Sequence, residues 1–404
     1  MKIEKFNHGS FISLFCGCGG LDYGFNKLGF ECLGAYDINP QAVASYNKNY
    51  GQLAAQDDLS ALNFSIKGVS KVDLVLSGSP CQGFSTLGKR NYDDPRNQLL
   101  IRAVEIALQY KAKIFVAENV PGALSGKHGD WWKRANDILL NNGFVTTTLV
   151  IKADDYGVPQ KRKRIFLVGV RGANTDIFNR VQLSKSFKKK TVGQVLTDGP
   201  KESAPEILKG IDLLIAKKIK PGQKLCDVRG GNAAVHTWDI PEVFGYVDET
   251  DILILKELMK ARRAKSNRVR GHGDGDFVAP SVLEKGLGFG VKRRLRSLNK
   301  KGYVRVDKNQ KVNLSHTFNG KYRRLSPDGF SPTVDTKFGN PKYFLHPTEN
   351  RGFASCEAAL LQGFPRDYKF IGTESQKMQQ VGNAVPPPVS KVLAKYIKDI
   401  LEAI

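Results

Sequence analysis

The chain has 404 residues, 41% of them apolar, and a formal net charge of +23 at pH 7. This length supports a large core and two domains. No apolar run is long enough to span a bilayer, and the short apolar part of "MKIEKFNHGSFISLFCGCGG" runs straight into glycines, so a membrane or secreted protein is excluded and a cytoplasmic one is expected.

The charge is uneven. Residues 260–311 hold 16 Lys/Arg against 4 Asp/Glu, a net +12 in 52 positions. A concentration this strong favours a polyanionic partner, with nucleic acid ahead of an anionic membrane surface. The six cysteines, at 16, 18, 32, 81, 226 and 356, match no secreted disulfide framework. No His or further Cys stands at ligand spacing from Cys16, Cys18 and Cys32, so half-buried thiols are expected there and no metal site.

In chain order, "SFISLFCG" (10–17) reads as a strand ending in a glycine turn, and "GLDYGFNKLGF" as a helix. "ECLGAYDIN" (31–39) is a strand, followed by the helix "PQAVASYNKNY" opened by Pro40. "KVDLVLSG" (71–78) and "KIFVAENV" (113–120) are strands flanking the helical "QLLIRAVEIALQY" (98–110), and "FVTTTLVI" and "RIFLVGV" complete the set. Apolar strands alternating with helices predict a doubly wound α/β sheet with its ligands at the strand carboxyl ends.

The texture changes near Arg171. "DETDILILKELMKARRA" (248–264) has helical spacing, and "VLEKGLGFGVKRRLRSLNKKGYVRVDKNQKVNLS" (282–315) reads as a short segment, a basic helix and a β-hairpin. That is the pattern of a winged-helix DNA-binding unit, with Arg293, Arg294 and Arg296 facing a groove and Leu295 and Leu298 packing inward. The alternative is an α/β insert carrying a solvated basic helix. "CEAALLQGFP" (356–365) and "SQKMQQVGNAVPPPVSKVLAKYIKDILEAI" (375–404) close the chain.

Chemistry gathers at the strand ends. "LFCGCGGLDYGF" (14–25) is a strand, a glycine-rich turn and a helix start, where backbone can approach a nucleotide-like ligand. Asp37 ends the next strand at the spacing of a carboxylate that grips a ribose, and "QDDLS" (56–60) offers a further acid. A P-loop lysine is absent, so the pocket suits a nucleoside without pyrophosphate, such as S-adenosylmethionine. "SPCQ" sets Cys81 at a strand end, "ENV" sets Glu118 and Asn119 at another, and "GVPQKRKRIFLVGV" carries Arg162 and Arg164 at i, i+2 on one side of a strand. A Pro-Cys pair alone is more often structural, and a basic turn is usually solvated. A thiol, a carboxylic acid and a guanidinium converging at one sheet edge suit attack on a heteroaromatic ring.

Taken in order, "FCGCGG", "AYDIN", "DDL", "SPCQGFS", "DPRNQLL", "ENVPG", "PQKRKRIFLVG", "RRLSPDGFSPTV", "ALLQGFP" and "QVGNAVPPPV" resemble the bacterial DNA (cytosine-5)-methyltransferase family over residues 10–171 and 323–404. The resemblance implies that Cys81 adds to C6 of a flipped-out cytosine, that Glu118 hydrogen-bonds N3 and the exocyclic amine, that Arg164 holds O2, and that Arg162 supports them. It implies S-adenosylmethionine contacts from Phe15, Gly17, Gly20, Asp37, Ile38, Asp58, Pro80, Leu99 and Asn383. It also implies a loop over the DNA in which Gln82 and Ser85 brace the vacated space and Lys89 and Arg90 touch DNA. Three features depart from the family pattern: Ser13 stands where an Asp is usual, Asp37 replaces the commoner Glu, and "SGSPC" replaces a glycine-richer approach to the nucleophile.

The implied division is a catalytic and cofactor-binding domain at 1–171, completed by 370–404, and a target-recognition domain at 172–369. The implied partner is double-stranded DNA, with the enzyme a monomer that works beside a restriction endonuclease. Two rivals stay open at this point: an RNA cytosine-5 methyltransferase of the same chemistry, and a non-catalytic DNA-binding regulator.

Overall fold

The computed structural model describes residues 8–61, 63–80, 95–126, 129–184, 189–196, 205–264 and 275–404. Its central sheet has seven strands: β1 (Ser10–Leu14), β2 (Glu31–Asp37), β3 (Ala54–Gln56), β4 (Leu74–Ser77), β5 (Ile114–Asn119), β6 (Phe144–Lys152) and β7 (Lys163–Arg171), in the order β3-β2-β1-β4-β5-β7-β6. The pairings from β3 across to β5 are parallel, and β7 runs antiparallel to both β5 and β6.

The strands read as continuous apolar runs because both faces of the sheet are covered. Successive side chains alternate between two cores. Phe11, Leu74, Leu76, Ile114 and Val116 point into one, and Ile12, Leu14, Val75, Phe115 and Ala117 into the other. The first core is closed by α1 (Tyr23–Lys27) and by Val389, Leu393, Ile397 and Ile400 of the final helix, Pro387–Ala403. The second is closed by α3 (Gln98–Gln109) and α4 (Gly129–Asn141), through Leu100, Val104, Trp132 and Leu139. Between β2 and β3, α2 (Pro40–Tyr50) is launched directly from the end of β2. The Asn39 side chain accepts from the Gln41 and Ala42 amides, each at 3.0 Å, and Pro40 fixes the first turn. Strand order reverses between β1 and β4, which opens a crevice at their carboxyl ends.

The chain forms two compact units: Met1–Ser203 with Phe330–Lys337 and Ala354–Ile404, and Ala204–Gly329 with Phe338–Phe353. These bounds differ from the 171/172 and 369/370 divisions expected from sequence. Ile177 and Phe178 extend the first core beyond β7. Residues 330–337 return because Ser331 N–H donates to Pro159 O and Lys161 N–H to Ser331 O, each at 2.8 Å. The helix Ser355–Gln362 belongs to the same unit, since the Gln362 amide donates to Val381 O and Ala384 O.

In the second unit, a three-stranded sheet (Asn319–Lys321, Lys224–Cys226, Ala234–Val235) packs Leu225 and Val235 with Ile215 and Ile219. Beside it stands a separate helical module. The helix Glu249–Ala261 is followed by Val278, bridged to Val312, then by the helices Pro280–Leu287 and Lys292–Lys300 and by the hairpin Val304–Val306/Val312–Leu314. This is the winged-helix order, and the module has its own core of Ile254, Leu258, Leu283, Leu295, Leu298, Val304, Val312 and Leu314.

Helix α1 leaves no room at its contact with the final helix. A Cβ on Gly24 would stand 2.5 Å from Lys391 N, while Gly24 N–H donates to Ser390 Oγ at 2.7 Å. Gly24→Ala is expected to cost on the order of 1–3 kcal/mol, the range for overpacking against rigid backbone, read from urea unfolding midpoints. A variant as stable as the parent would show that the final helix can shift.

Candidate active site

The glycine-rich turn after β1 is pinned to the end of β2. Asp37 Oδ2 accepts from Gly17 N–H at 2.8 Å and Oδ1 from Asn39 N–H at 2.8 Å. Burial raises the Asp37 carboxyl pKa, and these two amides oppose the rise. The turn is tight enough to hold Phe15 at φ +54°, beside Gly17 at φ +54°, a conformation that costs a non-glycine residue energy and persists only where its surroundings enforce it. Around this cradle Ile38 is 64% exposed, an apolar side chain with no protein cover. Asp58 is exposed, its Oδ1 accepting from Ser60 N–H at 3.0 Å, and its pKa is lowered by hydrogen bonds from Ser60.

The end of the chain completes the cradle. A Cβ on Gly20 would stand 2.5 Å from Val385 O, so residues 384–385 lie against the turn and bring exposed Asn383 with them. Leu99 is half-buried in the first turn of α3, and Pro80 is half-buried after β4. Two carboxylates, Asp37 and Asp58, with the largely exposed Ile38 beside them, are chemically suited to a nucleoside bearing ribose hydroxyls and an exocyclic amine.

One strand across, a second cluster is built from β5 and β7. Glu118, near the end of β5, is 8% exposed, and Arg164 Nε approaches its Oε1 at 2.6 Å. Burial pushes the Glu118 carboxyl pKa up, against the pull of Arg164 and Arg162. Arg162 is buried, donating to Val334 O at 2.9 Å, Gly382 O at 3.1 Å and Ala384 O at 2.9 Å. It thereby fixes the start of β7 to the segment that carries Asn383. Cys81, Gln82, Ser85, Lys89 and Arg90 lie outside the described residues. The backbone before Cys81 is set by Gly78, whose N–H donates to Leu14 O at 3.0 Å and whose Cβ would stand 2.8 Å from Phe15 O.

Sequence reasoning missed one group. Asp22 is fully buried; it accepts from Ser13 Oγ at 2.8 Å and from Tyr46 Oη at 2.8 Å. A carboxyl from α1's N-cap thus meets Ser13 of β1, nine residues earlier. The signal was Ser13 itself, a hydroxyl where an acid was expected. Cys16, Cys18 and Cys32 are buried free thiols, with Cys18 and Cys32 pushed up to about 12, chiefly by burial.

In the second unit the three basic-helix arginines separate. Arg293 and Arg296 are exposed, but Arg294 pairs with Asp248 and with Asp251, the latter at 3.1 Å. Arg294 therefore does not face outward as the spacing suggested. Helical geometry turns it toward the N-terminus of Glu249–Ala261, where a nearly buried aspartate needs a cation. Among the described residues, no helix is long and apolar enough to cross a membrane and no group of three His, Cys, Asp or Glu is placed to hold a metal ion.

The Asp22 carboxyl is pushed from its ordinary 3.8 up to about 7, by burial first and against its two hydrogen bonds. A raised acid stabilises the fold at low pH, and this contribution is lost as pH rises from about 4 through about 7. Asp22→Asn is expected to remove that decline, a difference on the order of 3 kcal/mol between pH 5 and pH 8, in urea titrations at those two pH values. Equal pH dependence in both proteins would exclude it.

Residues 9–399 match the family described as C-5 cytosine-specific DNA methylase. The chain is 31% identical to the type II methyltransferase M.XorII of Xanthomonas oryzae pv. oryzae, over 96% of this chain and 84% of that protein. It is 30% identical to the type II methyltransferase M.AgeI of Thalassovita gelatinovora, over 96% and 98%. Among solved structures, a prophage-encoded E. coli protein described as a DNA modification methyltransferase aligns with TM-score 0.59 and 26% identity over 97% of this chain and 99% of that one. The S. pombe Dnmt2 methyltransferase shares the fold at TM-score 0.52 and 18% identity, over 98% of each chain. With the family match spanning nearly its whole length, the chain belongs to the C-5 cytosine-specific DNA methylase family.

Proposed function

We propose that the sheet edge formed by β4, β5 and β7 is the reacting centre, with Cys81 as nucleophile and Glu118, Arg164 and Arg162 as its partners. The protein is a DNA (cytosine-5)-methyltransferase that uses S-adenosylmethionine. The observation that carries the residue assignment is the buried Glu118–Arg164 pair, one strand away from the Pro80 that leads into Cys81.

The thiolate is the reactive form of cysteine, and only a few per cent is present at neutral pH for an unassisted thiol. Cys81 Sγ adds to C6 of the cytosine, and electron density moves from the C5–C6 bond toward N3 and O2. Glu118, whose carboxyl pKa is raised by burial, hydrogen-bonds N3 and the exocyclic amine. Arg164 donates to O2, and Arg162 holds the start of β7 in place. S-adenosylmethionine, when bound, would supply an electrophilic methyl group to C5 and leave as S-adenosylhomocysteine; Phe15 and Ile38 would hold its adenine, Asp37 its ribose hydroxyls and Asp58 its adenine amine. Gly17 and Gly20 admit it to the turn, while Pro80, Leu99 and Asn383 wall the pocket. A base, with water the simplest candidate, takes the C5 proton, the C6–S bond breaks, and Cys81 returns as thiolate. Stacking hides C5 and C6 in a duplex, so the base must be turned out at a cost of a few kcal/mol. Gln82 and Ser85 are assigned to that vacated space, and Lys89 and Arg90 to contacts with the DNA.

The second unit is assigned to target recognition. The relatives' designation as type II methyltransferases supports a restriction endonuclease as partner. The remaining parts of the reading are a monomer and a cytoplasmic, nucleoid-associated location, the latter supported by the net charge of +23.

Incubation with tritiated S-adenosylmethionine and mixed duplex DNA, with RNA in parallel, should place label in DNA as 5-methylcytosine; label in RNA alone would move the substrate. Cys81→Ser should abolish transfer while leaving DNA binding intact, and turnover at the parent rate would sink the covalent mechanism.

A further inference from the structure

The helical module of the second unit carries more than a basic stretch of sequence. The helix Pro280–Leu287 ends on Gly288 at φ +77°, and four residues, 288–291, lead into Lys292–Lys300. Two helices joined by a short glycine-containing turn are the helix-turn-helix arrangement. The entry to the second helix is held by Glu284, whose Oε1 accepts from Val291 N–H at 3.2 Å.

Two sides of that second helix are occupied within the module. Leu295 and Leu298 are buried in the module's core, and Arg294 is clamped to Asp248 and Asp251, with Lys301 reaching the same Asp251 at 3.3 Å. The remaining side presents Arg293, Arg296, Ser297 and Lys300, all exposed. The helix itself contains no acidic residue, and among the described residues none pairs with those three cations. The hairpin next to it ends in a structured turn, Asp307 Oδ1 accepting from Asn309 N–H and Lys311 N–H at 2.9 Å, with Lys308 and Lys311 exposed on it.

We propose that Lys292–Lys300 is a recognition helix that lies in the major groove of duplex DNA, with Arg293 and Arg296 reading guanine edges and Lys300, Lys308 and Lys311 on flanking phosphates. Arginine meets guanine O6 and N7 with two parallel hydrogen bonds, whereas a lysine on phosphate carries position without sequence. The occupant is DNA rather than double-stranded RNA because the A-form major groove is too deep and narrow for a helix to read. The inference rests on the protein acting on duplex DNA and adds the residues that choose the site.

The test uses the full-length protein, duplex DNA carrying the methylated site once that is mapped by sequencing of the product, and unrelated duplex of equal length. Arg293→Ala and Arg296→Ala should each weaken binding to the cognate duplex roughly tenfold or more and relax preference for one base pair, while binding to unrelated duplex changes much less. Lys300→Ala should weaken both equally and lower the slope of log K against log salt by about 0.9. Binding of S-adenosylmethionine by calorimetry reports whether each variant is folded, and Arg296→Lys, which keeps charge and surface but not the paired hydrogen bonds, should still relax the base preference. Parent-like cognate affinity and preference in all the arginine variants overturn the inference, as does competition by double-stranded RNA equal to that by DNA. If the parent protein itself labels no DNA, the reading of its activity fails instead, so the two failures are distinguishable.

Discussion

The buried Arg162 guanidinium is the constraint on which the catalytic unit depends. A cation with 1% exposure is tolerable only if it is well hydrogen-bonded, and its two terminal nitrogens donate to three backbone carbonyls, of Val334, Gly382 and Ala384. Those carbonyls come from segments 170 or more positions away, so one side chain requires residues 330–337 and the end of the helix Glu374–Asn383 to return to the start of β7. Buried amides reinforce the junction: Gln160 Oε1 accepts from Val334 N–H at 2.9 Å, and its Nε2 donates to Gln362 Oε1 at 2.5 Å. The arrangement leaves Arg164, two residues on, to face Glu118, and it sets Asn383 and Val385 against the glycine-rich turn.

A second constraint sits beneath that turn. Backbone there follows a path open to few side chains, with Phe15 and Gly17 both at positive φ. It is held from above by Asp37 and from the sides by Tyr50 Oη on Gly19 O at 2.9 Å and by Tyr368 Oη on Cys18 O. Asp22 anchors the floor through Ser13 and Tyr46. Burying a carboxyl in this layer is unfavourable when it is ionised, and the hydroxyl pair offsets only part of that cost.

Much of this was legible in the sequence, for identifiable reasons. Strands buried on both faces declare themselves as apolar runs, so β1, β4, β5 and β7 were evident, as was the placement of Asp37 and Glu118 near strand ends. The hairpin and the helix Lys292–Lys300 were readable because Leu295 and Leu298 stand three apart in a basic background. What could not be read depends on pairing at long range. Arg294 looked like its neighbours until Asp248 and Asp251 were brought beside it, and the 32 residues after β7 looked like the start of a new domain until Ile177 and Phe178 entered the first core. Asp22 was hidden because its meaning lies in a residue nine positions earlier.

These commitments also bear on where the energy for base extrusion originates. Turning a cytosine out of the stack costs a few kcal/mol, which contacts to the duplex must supply. Arg162 donates to three buried carbonyls and Arg164 is paired with Glu118, so neither reaches a phosphate without giving up those contacts. Exposed cations without acidic partners are instead found on the winged-helix module, within the 52 residues that hold a net +12. On the proposed reading, chemistry and affinity draw on different arginines: those at the sheet edge are held by partners inside the protein, and those on the outward helix face remain exposed for DNA. That separation lets the recognition surface vary without disturbing Glu118.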